Sequence, residues 1–187
     1  MNSLKGKFHV HLTLDCKEFN NKIHSWKTTV IQLSKGDKKQ LDVMLTKHYF
    51  IPSTKTNNVQ DIKDDVAKAV AQAEEAGYKV IRVKLEHESL PTIAPNKNNY
   101  RECHIKLELP KQYNLKVPEG FVKSKNPLAQ TLNSDVYFIN KRWYAGDVED
   151  IDKSAQEVAK SLGSFVREVK LESIVIDSNQ TLDKWWA

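Results

Sequence analysis

The sequence predicts an α+β fold that is bilobal: two ferredoxin-like, duplicated β-β-α-β lobes whose antiparallel sheets face a central cleft. Three observations carry that expectation. Apolar and polar residues alternate in several segments, as in half-buried strands. Each half holds one amphipathic helical segment closed by a glycine. The halves also match each other in order. An offset of 86 positions superposes Gly77, Val80, Val83, Lys84, Leu85 and Glu86 on Gly163, Val166, Val169, Lys170, Leu171 and Glu172 without a gap. An offset of 93 places His11 on His104, Leu12 on Ile105 and Leu14 on Leu107. VKLE is common strand vocabulary, so one match carries little. Three ordered matches, with the helix starts Val59-Gln60-Asp61-Ile62 and Val148-Glu149-Asp150-Ile151 as the third, favour duplication.

The elements follow in order. Residues 8–15 (FHVHLTLD) alternate and predict a strand. Residues 18–33 are expected to hold a helix or an irregular crossing. A second strand is expected over 41–51, closed by Pro52. Asn57 and Asn58 are candidate caps for a helix over 59–76, with Ile62, Val66, Ala69, Val70 and Ala73 on one face. Gly77 ends it, and 78–87 is a third strand. After a Pro- and Asn-rich loop at 90–99 the pattern recurs: strand 100–109, an irregular stretch 111–133, and strand 135–144. A helix over 148–162 follows, capped by Asp147 and closed by Gly163, and then strand 165–176. The second helix is three residues shorter than the first, close to one turn. The chain is expected to be one domain over 1–187, with lobe repeats at 8–89 and 100–177 and a tail at 178–187 that carries Trp185 and Trp186.

Composition narrows the function classes. The 187 residues are 40% hydrophobic and 28% charged, which excludes a disordered chain. Lys and Arg number 29 against 24 Asp and Glu, a net charge of +5. This excess favours anionic partners such as nucleotides or RNA, although many basic proteins bind neither. Cys16 and Cys103 are too few and too distant for a disulfide framework or zinc site, and Cys103 sits in an apolar alternation as a buried free thiol. No apolar run matches a signal peptide or membrane span, so a cytoplasmic protein without a membrane partner is expected.

Parity on the strands picks out the chemistry. Phe8, Val10, Leu12 and Leu14 share one face, and His9, His11 and Thr13 share the other. In the second half Cys103, Ile105, Leu107 and Leu109 oppose Glu102, His104, Lys106 and Glu108. Each half thus presents a histidine on the side away from its helix, and packing those sides together puts both in one cleft. Two imidazoles can divide the proton transfers of phosphodiester cleavage, one as base and one as acid. Thr13 and Lys106 lie beside them to hold phosphate oxygens. No metal or other cofactor is needed for that chemistry.

His11-Leu-Thr-Leu and His104-Ile-Lys-Leu resemble the paired His–apolar–Thr/Ser–apolar motifs of the 2H phosphoesterase superfamily, the 2′,3′-cyclic phosphodiesterases once called 2′–5′ RNA ligases. The family is built from two related lobes with one motif in each. The resemblance implies a metal-independent phosphodiesterase, with His11 and His104 catalytic and Thr13 and Lys106 on the phosphate. Its substrate would be a cyclic phosphate, an RNA end or a small cyclic or 2′–5′ oligonucleotide. Lys106 departs from the family's Thr or Ser and would hold phosphate by charge. The alternative is a non-catalytic nucleotide- or RNA-binding module with the same cleft, or an interaction protein with merely solvated basic faces.

Further candidate substrate contacts are His9, His48, Tyr49, Arg142, Trp143 and Tyr144, with core packing the competing expectation for Tyr49 and Trp143. The pair His9 and His11 also fits the start of a metal-dependent hydrolase motif. The remaining histidines, His24, His48, His87 and His104, lack the clustered spacing such sites need. Arg82, Lys84, Arg167 and Lys170 are expected on the polar face of a sheet, either solvated or lining a substrate groove.

Overall fold

Alternation along the strands sends apolar side chains to one face and polar ones to the other, and the sheet curls until its polar face lines its own interior. A computed structural model describes residues 6–20, 22–33, 41–52, 58–88, 95–126 and 129–182. The strands are β1 (Gly6–Leu14), β2 (Lys27–Leu33), β3 (Leu41–Ile51) and β4 (Val80–His87), followed by β5 (Arg101–Pro110), β6 (Val122–Asn126), β7 (Ser134–Trp143) and β8 (Val166–Asp177). Helix α1 (Asn58–Glu75) joins β3 to β4, and α2 (Val148–Leu162) lies between β7 and β8, followed by a 3₁₀ turn at Gly163–Phe165. All neighbouring strands are antiparallel, and the order β1-β3-β2-β6-β7-β5-β8-β4 closes into a barrel.

The expectation of two separate sheets is corrected here. One eight-stranded sheet runs through both halves, and two of its strands lie where none is expected. β2 falls in the stretch expected to be a helix or irregular crossing, and β6 in the stretch expected to be irregular. Thr28, Thr29, Val30 and Ile31 are β-branched and suit a strand, whereas β6 (VKSKN) is short and polar. β2 pairs with β6 through Gln32↔Lys125 and Leu33↔Ser124. On the opposite side β4 pairs with β8 from Lys84↔Asp177 to His87↔Ser173. These two seams turn a pair of sheets into a barrel. The first half has the order β4-β1-β3-β2 and the second the order β8-β5-β7-β6.

The apolar core lies outside the barrel wall, in two clusters. Phe8, Val10, Leu12, Leu14, Val43 and Leu45 pack under Ile62, Ala69 and Ala73 of α1. Cys103, Ile105, Leu107, Leu109 and Ile139 pack under Ala155 and Ala159 of α2. Burial pushes the Cys103 thiol up to about 12, as suits an inert core cysteine. Among the described residues no helix is long and apolar enough to cross a membrane.

The helix ends match their residues. Asp147 accepts a hydrogen bond from the Glu149 N–H at 2.8 Å and caps α2. At the end of α1, the Gly77 N–H bonds the Glu74 carbonyl and the Tyr78 N–H bonds the Ala73 carbonyl, both at 2.9 Å. This is a Schellman closure, with Gly77 at φ +85°. Nothing lies within 4 Å of a Cβ built there, so an added methyl costs only the left-handed backbone strain. Gly77→Ala is expected to lower stability by about 1 kcal/mol, read as a shifted urea midpoint with an unchanged slope. The candidate cap Asn57 and the tryptophans of the tail lie outside the described residues.

Candidate functional site

The inward-facing residues enclose a polar cavity of about 320 Å³ inside the barrel. His9, His11 and Thr13 reach it from β1, and His104 and Lys106 from β5. Both expected histidines therefore meet in one space. Register gives them matching surroundings. His11 lies opposite Thr46 on β3 and Lys84 on β4. His104 lies opposite Asn140 on β7 and Lys170 on β8.

The two rings are held differently. Glu86 Oε2 lies 3.1 Å from His11 Nε2, and Thr46 Oγ1 lies 2.8 Å from Nδ1. A carboxylate can only accept, so Nε2–H donates to Glu86, and the neutral ring accepts at Nδ1 from the Thr46 hydroxyl. For His104, Nδ1 lies 2.7 Å from Asn140 Oδ1. The Asn140 amide nitrogen donates to Ser124 at 3.1 Å, which turns its oxygen toward the imidazole. His104 thus carries its hydrogen on Nδ1. Its Nε2 stands 3.7 Å from Glu102 and 3.6 Å from Glu172, beyond hydrogen-bonding distance of either.

Between the histidines runs a buried ion network. Lys84 Nζ bonds Glu86 at 2.7 Å and also Glu102, and Arg142 Nε donates to Glu102 at 2.9 Å. Burial opposes the charges of Lys84, Glu86 and Glu102, but the partners outweigh it. Glu102 and Glu86 together hold the Lys84 ammonium above its ordinary value. Burial of Glu86 is outweighed by Lys84 and His11, and its carboxyl stays well below the carboxylate range. Arg142 and Lys84 do the same for Glu102. The network spans the halves, since Lys84 and Glu86 belong to β4 and Glu102 and Arg142 to β5 and β7.

His9 closes one side of the cavity. Its Nε2 meets Glu88 at 2.6 Å, and its Nδ1 lies 2.9 Å from Glu172 and 3.2 Å from Lys170. Burial pulls the His9 pKa down, but Glu172 outweighs it and raises the net value. His48 is exposed beside His9, with ring centroids 4.1 Å apart. Its pKa is lowered by burial and by the charges of His9 and Lys170.

Of the other candidate contacts, His48 and Arg142 line the cavity and Tyr49, Trp143 and Tyr144 do not. Strand parity accounts for Tyr49 and Trp143, which follow the inward-facing His48 and Arg142 and so face outward, whereas Tyr144 lies past the end of β7. Tyr49 donates to Asp65 of α1. Trp143 packs on Phe121 in the outer core, and Tyr144 lies against Tyr100. Arg82, Lys84 and Lys170 all line the cavity, whereas Arg167 is exposed and bonds Glu108.

The wall carries six Lys or Arg side chains and five Asp or Glu, so its field is nearly balanced and local groups decide what binds. Among the described residues Lys27 and Lys106 are wall cations that form no ion pair. Among the described residues three groups of side chains place metal-ligating atoms within 4.8 Å of one another: His9–His11–Glu86, His9–His48–Glu88 and Glu86–Glu102–His104. Glu86, in two of them, and Glu102, in one, are already ion-paired to Lys84. Sequence reading placed Glu102 and Lys84 on polar faces, whereas Glu86 entered only through the repeat match. Thr46 and Asn140 carried no signal, because their role depends on which strand pairs with which.

These features define a class: an antiparallel eight-stranded barrel with a polar lumen and two symmetrically placed histidines. No family model, curated protein or solved structure matches the chain.

Proposed function

We propose that this protein is a metal-independent phosphoesterase of the 2H type, acting on a cyclic phosphate or a small cyclic or 2′–5′ oligonucleotide. The observation that carries the reading is the pair His11 and His104 at register-equivalent positions on one cavity wall. The identical strand orders of the two halves support an origin by duplication, with one histidine motif per lobe.

The hydrogen bonds suggest a division of labour. His11, with Nε2–H on Glu86, has an accepting Nδ1 and acts as base. His104, anchored through Nδ1 to Asn140, exchanges its proton at Nε2 and acts as acid. Thr13, buried on the wall beside Arg82, and the ammonium of Lys106, which forms no ion pair among the described residues, hold phosphate oxygens. A cavity of about 320 Å³ suits one nucleotide-sized group. A cytoplasmic site of action goes with such a substrate.

The test is hydrolysis of 2′,3′-cyclic nucleotides, cyclic di- and trinucleotides and 2′–5′ oligoadenylates in EDTA, for which turnover with a bell-shaped pH profile is expected. One feature favours the binding-module alternative: both nitrogens of His11 are engaged within the protein. A binding module would retain nucleotide without turnover, and Lys106→Thr would leave it inert.

A further inference from the structure

We propose that Thr46 is the nucleophile of a covalent phosphoryl-transfer step. The proposal rests on the phosphoesterase reading and adds a residue and an intermediate to it. Glu86, His11 and Thr46 form a relay of carboxylate, imidazole and hydroxyl, with contacts of 3.1 and 2.8 Å. This is the arrangement that activates a weak hydroxyl nucleophile: the carboxylate fixes the tautomer, and the free ring nitrogen takes the hydroxyl proton. Here Nε2 faces the acid and Nδ1 faces the alcohol.

Three further observations place Thr46 in that role. It is 8% exposed and lines the cavity, so its hydroxyl meets substrate with little competing water. Its register partner on β2 is Lys27, whose ammonium forms no ion pair among the described residues and faces the same cavity. That cation is placed to hold a non-bridging oxygen at the attacked phosphorus. In the second half the position matching Thr46 is Asn140, which has no nucleophilic atom and instead anchors His104. One half therefore attacks and the other protonates.

The step balances. Thr46 Oγ1 gives its proton to His11 Nδ1 and attacks phosphorus, while the bond to the leaving oxygen breaks and that oxygen takes the Nε2 proton of His104, which enters the step as an imidazolium with its other hydrogen on Nδ1 toward Asn140. Water then attacks the phosphothreonine diester. Its proton goes to His104, and Thr46 leaves with the proton held by His11. Both imidazoles return to their starting states.

The test uses the full chain with bis(4-nitrophenyl) phosphate as probe, acid-quenched during turnover and analysed by peptide mass spectrometry. A 4-nitrophenyl phosphoryl group is expected on Thr46. Thr46→Ser is expected to keep the adduct and turnover within about tenfold, and Thr46→Val to lose the adduct and turnover by about 10³-fold or more. Turnover by the wild-type protein with no adduct, or Thr46→Val within tenfold of wild type, overturns the proposal and leaves the two-histidine reading standing. A wild-type protein that cleaves neither this probe nor any nucleotide of the panel overturns both. The wild-type adduct does not depend on whether Thr46→Val folds.

Discussion

Alanine at either His11 or His104 is expected to lower kcat on a cleaved phosphodiester by about 10²- to 10⁴-fold, the usual contribution of one general acid or base. Each imidazole faces the polar cavity, with side-chain exposures of 18% and 19%, and belongs to neither apolar cluster. Truncation therefore enlarges an existing polar space and leaves the outer packing intact. In His11→Ala, Glu86 keeps its ion pair to Lys84. In His104→Ala, Asn140 keeps Ser124. Folding should survive both changes, as read from circular dichroism and a urea midpoint near that of wild type. The pH profile separates the roles: loss of the base removes one limb of the bell and loss of the acid removes the other.

Glu102→Leu is expected to have the largest effect on stability. Glu102 is fully buried at the junction of the halves, and its two oxygens pair with Arg142 and Lys84. Removing it takes from a buried guanidinium and a buried ammonium the counter-charge they share, while Lys84 keeps Glu86. Breaking a buried pair from one side costs about 3–5 kcal/mol, readable by urea unfolding. The pH dependence has a definite sign. Glu86 and Glu102 are both held below the ordinary 4.5, so their contribution is present above that unfolded value. It is lost as pH falls below 4.5 toward their folded pKa values. Glu102→Leu should flatten that acid limb as well as lower the plateau.

Much of this site was legible in the strand parity. FHVHLTLD and YRECHIKLEL fix which face is apolar, so the placement of His11, Thr13, His104 and Lys106 on a shared polar side followed from period-two alternation. The glycines at 77 and 163 and the cap at Asp147 marked the helices by local chemistry. Barrel closure was not legible. β6 is five residues with two lysines and no apolar alternation, and it is a strand because β2 and β7 flank it. Thr46 and Asn140 stayed hidden for the same reason, since their contacts exist only through cross-strand register. Tyr49 and Trp143 show the limit of reading by composition: each stacks with a cation of its own outer face, Lys47 over Tyr49 at 5.4 Å and Lys141 over Trp143 at 5.1 Å, away from the cavity.

The central claim is that the two histidines share one phosphodiester in the barrel lumen. Its most direct test is single-turnover hydrolysis of the nucleotide panel in EDTA by the wild-type protein and by the His11→Ala, His104→Ala double variant. Turnover by the wild-type protein and its loss in a folded double variant is the result expected. Full activity in the double variant, or wild-type binding with no cleavage of any nucleotide tested, would contradict it.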